Sequence, residues 1–406
     1  MQHITHLNAR NLGDYSKYIS SDQQDNISSL AHTLHRKKIV EVNATAFGGG
    51  VVELLQGKIA LMQGMGIDAN WYVLPPNDDF FHTTKELHNC LQGKCELPSQ
   101  NQLIDYSDYL KKIATDLPND ADIYVLHDPQ TLGLAPYLPA DKLIWRCHID
   151  LTDAESHTLN WLHNYYQYFE KLIFSMPCYA KNAPKDKVTI VRPSIDPLSD
   201  KNKPLTQGEI DVVLNKYKLN TKPYLIQISR FDKFKDPLGV LDIYQEICKL
   251  SSDYDLVLVG NMATDDPEGQ SYFEKVQAVA QTLPEPVQFI TEASDSEINA
   301  FQRGASAVFQ NSNREGFGLT VTEALWKEQI VFSRPVGGIA LQVFDNITGF
   351  FLDQDNNISA EKIVEVLENS NKYSHIQKAA HELVLKEFLL PTMTQGYLAT
   401  YLELIN

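Results

Sequence analysis

Along the first half of the chain, short apolar runs rich in β-branched residues alternate with longer stretches whose apolar residues recur at helical spacing. KKIVEVNA (37–44) reads as a buried strand, and after a glycine turn VVELLQGKIALMQGMG (51–66) reads as a helix. ANWYVLP (69–75), DIYVLHD (122–128), KLIWRCHID (142–150), KLIFSMP (171–177) and KVTIVRPS (187–194) read as further strands. Each is short, apolar and closed by polar residues or proline, as in a parallel sheet covered on both faces. The periodicity lapses over PSIDPLSDKNKPL (193–205), which reads as an interdomain hinge. It restarts with PYLIQIS (223–229), DLVLVGN (255–261), VQFIT (287–291), AVFQNS (307–312) and QIVFSRP (329–335). Two successive βα arrays predict an α/β chain with two facing Rossmann-like domains and a cleft between them. The first is assigned to 1–200 and the second to 201–385. The tail, 386–406, reads as helical except around Pro391 and is expected to return to the N-terminal domain.

Composition narrows the function. A length of 406 residues exceeds one ordinary core, and 43% hydrophobic against 21% charged residues describes a globular protein. The 35 basic and 52 acidic residues give a net charge of −17, which disfavours nucleic acid and anionic membrane as partners. A phosphorylated ligand would then be held by a few local cations, so each basic residue beside a glycine turn gains weight. The five cysteines are irregularly spaced, and Cys90 and Cys95 lack a metal-knuckle spacing. No disulfide framework is expected, and a reducing, cytoplasmic setting fits. No apolar stretch reaches the length of about 18 residues that a membrane span needs. The sequence leaves a homodimer open.

Three segments carry candidate chemistry. REGFGLTVTEALW (314–326) follows a predicted strand and opens a helix, with Gly316, Phe317 and Gly318 between Glu315 and Glu323. Glycines let backbone N–H groups approach a ligand, and a helix N-terminus favours an anion. Alone, the motif reads better as a capping acid at Glu315 and a solvated helix residue at Glu323; the segments around it reverse that reading. ISRFDKFKDPLG (228–239) sets Arg230 and Lys235 just beyond a strand, where ligands bind in such sheets and where two cations suit a diphosphate. Gly48, Gly49 and Gly50 lie between strand and helix in the first domain, as a tight turn or a phosphate-contacting loop. His148 ends the predicted strand LIWRCHID facing the expected cleft; the other histidines read as structural.

Taken together these segments resemble the retaining glycosyltransferases of the GT-B fold. The strings NATAFGGGVVELL, VLHDPQTLGL, WRCHIDL, SRFDKFKDPLGV and REGFGLTVTEALWK are similar to the trehalose glycosyltransferring synthases and the related trehalose phosphorylases, over about Lys38–Phe351. The resemblance implies transfer of glucose from ADP- or UDP-glucose to glucose, forming trehalose, with no cofactor and no metal required. It implies that Arg230 and Lys235 bind the donor diphosphate, Glu315 the donor sugar and Glu323 the ribose, with Gly49, Gly50, Gly316, Phe317 and Gly318 in donor contact. His148 would hydrogen-bond the transferring glucose, and Asp128 and Arg146 would hold the acceptor. The alternatives are a trehalose phosphorylase, a sugar-nucleotide epimerase and a sugar-nucleotide sensor. Two positions depart from the family pattern: Asn261-Met262 where glycines are usual, and Arg334 where a small residue is usual.

Overall fold

The apolar runs become the strands of two separate sheets, and the residues between them become the helices that cover those sheets. The computed structural model describes residues 1–93, 95–260 and 267–405. Two compact units emerge: unit 1 comprises Met1–Ser194 and Phe388–Asn406, and unit 2 comprises Ile195–Glu387.

Unit 1 opens with β1 (Gln2–Ile4), α1 (Ser21–Thr33), β2 (Lys38–Asn43), α2 (Gly50–Gly64) and β3 (Asp68–Val73). It continues through α3 (Asp78–Leu91), α4 (Gln100–Ala114), β4 (Ile123–His127), α5 (Asp128–Leu132) and β5 (Leu143–Arg146). Then come α6 (Ser156–His163), β6 (Lys171–Phe174) and β7 (Val188–Ile190). The seven strands are ordered β1-β3-β2-β4-β5-β6-β7. All neighbours are parallel except β1, which pairs antiparallel with β3 through Gln2–Val73 and Ile4–Trp71.

Alternation along the strands assigns each side chain to a face. Val40, Val42, Tyr124, Leu126, Leu143, Trp145 and Cys147 enter one core with Phe80, Leu87, Leu110 and Leu162 of α3, α4 and α6. The intervening Glu41, His127 and Arg146 therefore point to the opposite face, and all three are buried.

Unit 2 runs α7 (Gln207–Tyr217), β8 (Tyr224–Ile228), α8 (Pro237–Leu250), β9 (Asp255–Val259), α9 (Pro267–Ala280) and β10 (Val287–Ile290). It continues α10 (Asp295–Gly304), β11 (Ala307–Gln310), α11 (Leu319–Trp326), β12 (Val331–Ser333) and β13 (Phe350–Phe351). Helices α12 (Asn356–Glu368) and α13 (Ser374–Glu387) end the unit. Its sheet is wholly parallel in the order β10-β9-β8-β11-β12-β13. Leu225, Leu256, Phe309 and Phe332 meet Val240, Ile247, Val276 and Ile363 of α8, α9 and α12 in its core.

Among the parallel strands of each sheet the chain reverses its direction of strand addition once. The reversal falls between β2 and β4 in unit 1 and between β8 and β11 in unit 2. Crevices at the carboxyl ends of such strand pairs are where α/β sheets take their ligands.

The final helix, α14 (Leu390–Ile405), belongs to unit 1 and packs on α1 and α2. Pro391 sits in its first turn, where a missing N–H costs nothing, so it starts the helix instead of breaking it. One expectation is corrected. Cys90, at the end of α3, and Cys95 form a disulfide with Cα atoms 5.0 Å apart. Sparse, irregular spacing along the chain does not exclude a single local bridge: at the end of α3, two cysteines five residues apart lie within bridging range.

Because α14 buries Leu390, Met393, Tyr397, Leu398 and Tyr401, truncation after Glu387 should abolish cooperative folding of unit 1 and leave unit 2 intact. Hydrogen exchange should show β8–β12 amides still protected and β2–β6 amides exposed. Equal loss in both sheets would contradict this division.

Candidate active site

At the strand reversal of unit 2, the loops after β8 and β11 bring two sequence-predicted residues together. Lys235 Nζ and Glu315 Oε2 form an ion pair, both side chains largely buried. Their loops are pinned locally. Asp232 Oδ1 accepts from the backbone N–H groups of Phe234 at 2.9 Å and Lys235 at 3.0 Å. Gln227 Nε2 donates to the Lys235 carbonyl at 2.8 Å. On the other side Gln310 Nε2 and Ser312 Oγ each lie 3.4 Å from Glu315 Oε2. Gly318 caps α11 with φ +87°, a left-handed conformation that favours glycine, and the Cβ of another residue would stand 3.1 Å from Ile339 Cγ1. Gly316 is partly exposed, whereas Phe317 is buried.

The other predicted donor residues stand apart from this pair. Arg230 is 67% exposed and forms an ion pair with Asp232 Oδ2 at 3.1 Å. Glu323 lies inside α11, buried, with Lys201 Nζ 3.8 Å away. Arg334, just past β12, donates to Asn313 Oδ1 at 2.6 Å and lies 3.6 Å from Asp236 Oδ2, so it occupies the ligand end of the sheet. Asn261 and Met262 lie outside the described residues.

At the strand reversal of unit 1, Gly49 takes φ +81° as the N-cap of α2, and Gly50 begins that helix. His148 lies two residues beyond β5, not on it, because the strand ends at Arg146. Its backbone N–H donates to Asp128 Oδ1 at 2.7 Å. Asp128 itself holds φ +61°, an uncommon backbone state for a residue with a side chain. Burial raises its carboxyl to about 7, against the opposing pull of the His148 N–H and the Arg146 charge. Arg146 has no accessible surface; its NH2 donates to Ser175 Oγ at 3.0 Å, and Nε and NH1 have no partner among the described residues.

Behind His148 stands a buried cluster that the sequence reading missed. Glu41 receives Lys58 Nζ at 2.7 Å on Oε1, Tyr401 OH at 2.8 Å on Oε1, and His127 Nε2 at 2.7 Å on Oε2. His127 Nδ1 in turn lies 2.9 Å from His148 Nε2. Lys58 Nζ also sits 3.6 Å from the centre of the Tyr397 ring. Burial alone would raise the Glu41 carboxyl, yet the Lys58 charge and the His127 hydrogen bond outweigh it and hold it at about 2. Burial pushes His127 down to about 4 despite Glu41. The signal was present in the sequence: a glutamate inside the apolar strand KIVEVN and a lysine inside the apolar helix GKIALM are both expensive to bury alone. His127, read as structural, belongs to this group.

Among the described residues, no cluster of three or more His, Cys, Asp or Glu is arranged to hold a metal ion, and no helix is long and apolar enough to cross a membrane.

A largely parallel sheet in each unit, with its ligand-side loops at a strand reversal, is the architecture of the GT-B fold, and the family matches that follow make the chain a glycosyltransferase of that fold. Anabaena HepE, solved in complex with UDP and glucose, matches with a TM-score of 0.70 at 16% identity, covering 90% of this chain and all of that one (100%). Residues 211–383 match the glycosyl transferases group 1 family, and residues 41–181 match the trehalose synthase N-terminal domain. A trehalose synthase of Thermococcus litoralis is 38% identical over 404 residues, 98% of this chain and 97% of the relative. The chain belongs to the trehalose synthase family. A trehalose phosphorylase of Grifola frondosa is more distant, 27% identical over 430 residues, 93% of this chain and 58% of the relative.

Two stability measurements follow from the unit 1 cluster. Lys58→Met leaves Glu41 buried with a smaller set of donors and should cost about 3–5 kcal/mol in urea unfolding. The His127 contribution is fully present above its usual 6.5 and is lost as pH falls towards its folded value of about 4. Glu41, held at about 2, adds a loss below its usual 4.5. Asp128, raised from 3.8 to about 7, acts in the opposite sense and favours the folded state on the acid side. The comparison must therefore be differential: His127→Asn should flatten the fall in stability between pH 6.5 and 4, followed by the fluorescence of Trp71, Trp145 and Trp161 in unit 1. Parallel profiles for wild type and variant would refute it.

Proposed function

We propose that this glycosyltransferase moves a glucosyl unit from a nucleoside diphosphate glucose to glucose, with retention of configuration, forming trehalose. The observation that carries the reading is the Lys235–Glu315 pair at the strand reversal of unit 2. A cation there suits a departing diphosphate, and a carboxylate beside it suits the hydroxyls of the sugar being transferred. Arg230, on the same loop, supplies a second cation from an exposed position. The UDP and glucose bound by the Anabaena neighbour support a nucleoside diphosphate donor.

In this reading the Gly316–Gly318 loop and the head of α2 at Gly49 and Gly50 approach the donor through backbone N–H groups. Glu323 holds the ribose, His148 the transferring glucose, and Asp128 an acceptor hydroxyl with Arg146 behind it. The bond from C1 to the β-phosphate oxygen breaks, and the leaving phosphate, held by Arg230 and Lys235, takes the acceptor's proton. The acceptor oxygen then bonds C1 from the same face, through an oxocarbenium-like state. The trehalose phosphorylases among the relatives favour one competing reading, in which phosphate and glucose 1-phosphate replace the nucleotide sugar.

Purified protein given glucose with ADP-glucose, UDP-glucose or glucose 1-phosphate should form trehalose with a nucleotide donor. Turnover with glucose 1-phosphate alone would overturn the synthase reading. Arg230→Ala and Lys235→Ala should each lower turnover by about 10²–10³, the usual effect of removing one electrostatic donor to a developing charge. Glu315→Gln should lower kcat, since its contact strengthens in the transition state. Glu323→Gln should raise donor KM, since the ribose is unchanged in the reaction. Identical kinetic profiles for the two glutamine variants would refute this division of roles.

A further inference from the structure

The buried cluster of unit 1 has a directionality that follows from donor and acceptor chemistry. Glu41 is fully buried on β2, and an ionised carboxylate accepts hydrogen bonds without donating any. Lys58 Nζ, 2.7 Å from Oε1 and 2.8 Å from Oε2, can only donate. Tyr401 OH donates to Oε1 at 2.8 Å. The remaining contact, His127 Nε2 to Oε2 at 2.7 Å, requires the proton to be on Nε2.

His127 has no exposed surface to speak of, and Lys58 already supplies the one positive charge that Glu41 neutralises. A second cation in the same apolar setting is strongly disfavoured, so His127 stays neutral and its Nδ1 is a bare lone pair. That lone pair lies 2.9 Å from His148 Nε2, with the ring planes 14° from parallel. His148 Nε2 must therefore carry a hydrogen. Arg146 and Lys58 face His148 as further positive charges, and Asp128 is engaged with its backbone N–H, so His148 is also neutral. Its Nδ1 is then an acceptor, and no hydrogen bond joins that atom to any described residue.

We propose that Glu41 and His127 are positioning residues that fix His148 in the Nε2–H tautomer, so that its Nδ1 accepts a hydrogen bond from a sugar hydroxyl. The hydroxyl as occupant rests on the sugar-transfer reading above; the tautomer does not. The direction matters because a hydroxyl that must donate here keeps its oxygen lone pairs for another partner. A cationic or Nδ1–H histidine would demand the reverse. The cluster also couples the site to α14 through Tyr401, the contribution of the last helix of the chain.

The tautomer is measurable without substrate. The full chain, labelled with ¹⁵N-histidine, should show long-range ¹H–¹⁵N imidazole correlations at pH 7 for both rings protonated on Nε2 alone. His127→Asn and His148→Gln spectra assign the two rings. A cationic His127, or a His148 protonated on Nδ1, would overturn the proposal whatever the enzyme's substrate. Kinetics give the second arm. In His127→Asn the amide oxygen takes the place of Nδ1 and keeps an acceptor for His148, whereas His127→Leu removes it. With the nucleotide sugar that supports turnover, His127→Leu should lose roughly tenfold in kcat, about what one neutral hydrogen bond accounts for, and His127→Asn should retain most activity. Equal loss in two folded variants would reduce His127 to packing and overturn the positioning role. If wild type transfers glucose from no donor, the sugar reading fails, and the spectra still decide the tautomer. If His127→Leu does not fold, the spectra alone decide the proposal.

Discussion

A carboxylate at the centre of a parallel sheet remains ionised only if donors surround it on every side, and that requirement organises unit 1. Glu41 draws Lys58 from α2, His127 from β4 and Tyr401 from α14. Three elements separated widely in sequence are thereby tied to one strand. The exchange is reciprocal, since the same contacts leave Lys58 buried without isolation and hold His127 neutral. A hydrophobic residue at position 41 would pack at least as well. What the ionic version adds is orientation: a defined proton position that passes from β2 through His127, at the end of β4, to His148 in the loop after β5.

Unit 2 meets a related demand in another way. Lys235 and Glu315 pair between two loops, not within a sheet, and their backbones are set by Asp232, Gln227 and the left-handed Gly318. Here the charges keep some access to solvent and stand where a ligand enters. The two strand reversals thus carry different chemistry. One holds a sealed network that orients a single histidine, and the other holds an open pair of opposite charges next to a helix N-terminus. Asp128 and Asp236 both hold left-handed backbone at the start of the helix that follows the first of these strands or its partner, so each unit stores strain beside its charged loop.

Much of this was legible from periodicity. Every apolar run read as a strand is one, because covered parallel strands are short and continuously apolar and so leave a strong local signal. The two strands that went unread explain themselves: β1 is three residues of polar edge, QHI, and β13 is two residues. The strand end at Arg146 was overrun by four residues because CHID continues the apolar alternation after the ladder has stopped. Glu315 and Lys235 were legible because each adjoins glycine or a strand end. Glu41 and Lys58 were not, since a pattern read for apolar content passes over a single charge, and their partnership spans 17 residues of sequence but adjacent elements in space. The Tyr401 contact, 360 residues from Glu41, leaves no local trace at all.

The membership of α14 in unit 1 has a consequence for the order in which the molecule is made. A ribosome delivers the chain from its N-terminus, so Glu41, Lys58 and His127 emerge long before Tyr397 and Tyr401. All of unit 2, Ile195–Glu387, is synthesised in the interval and can close its own sheet without waiting. Unit 1 meanwhile has an uncovered face of α1 and α2 and a carboxylate short of one donor. The nascent chain thus carries all of unit 2 before the helix that seals unit 1 has been made.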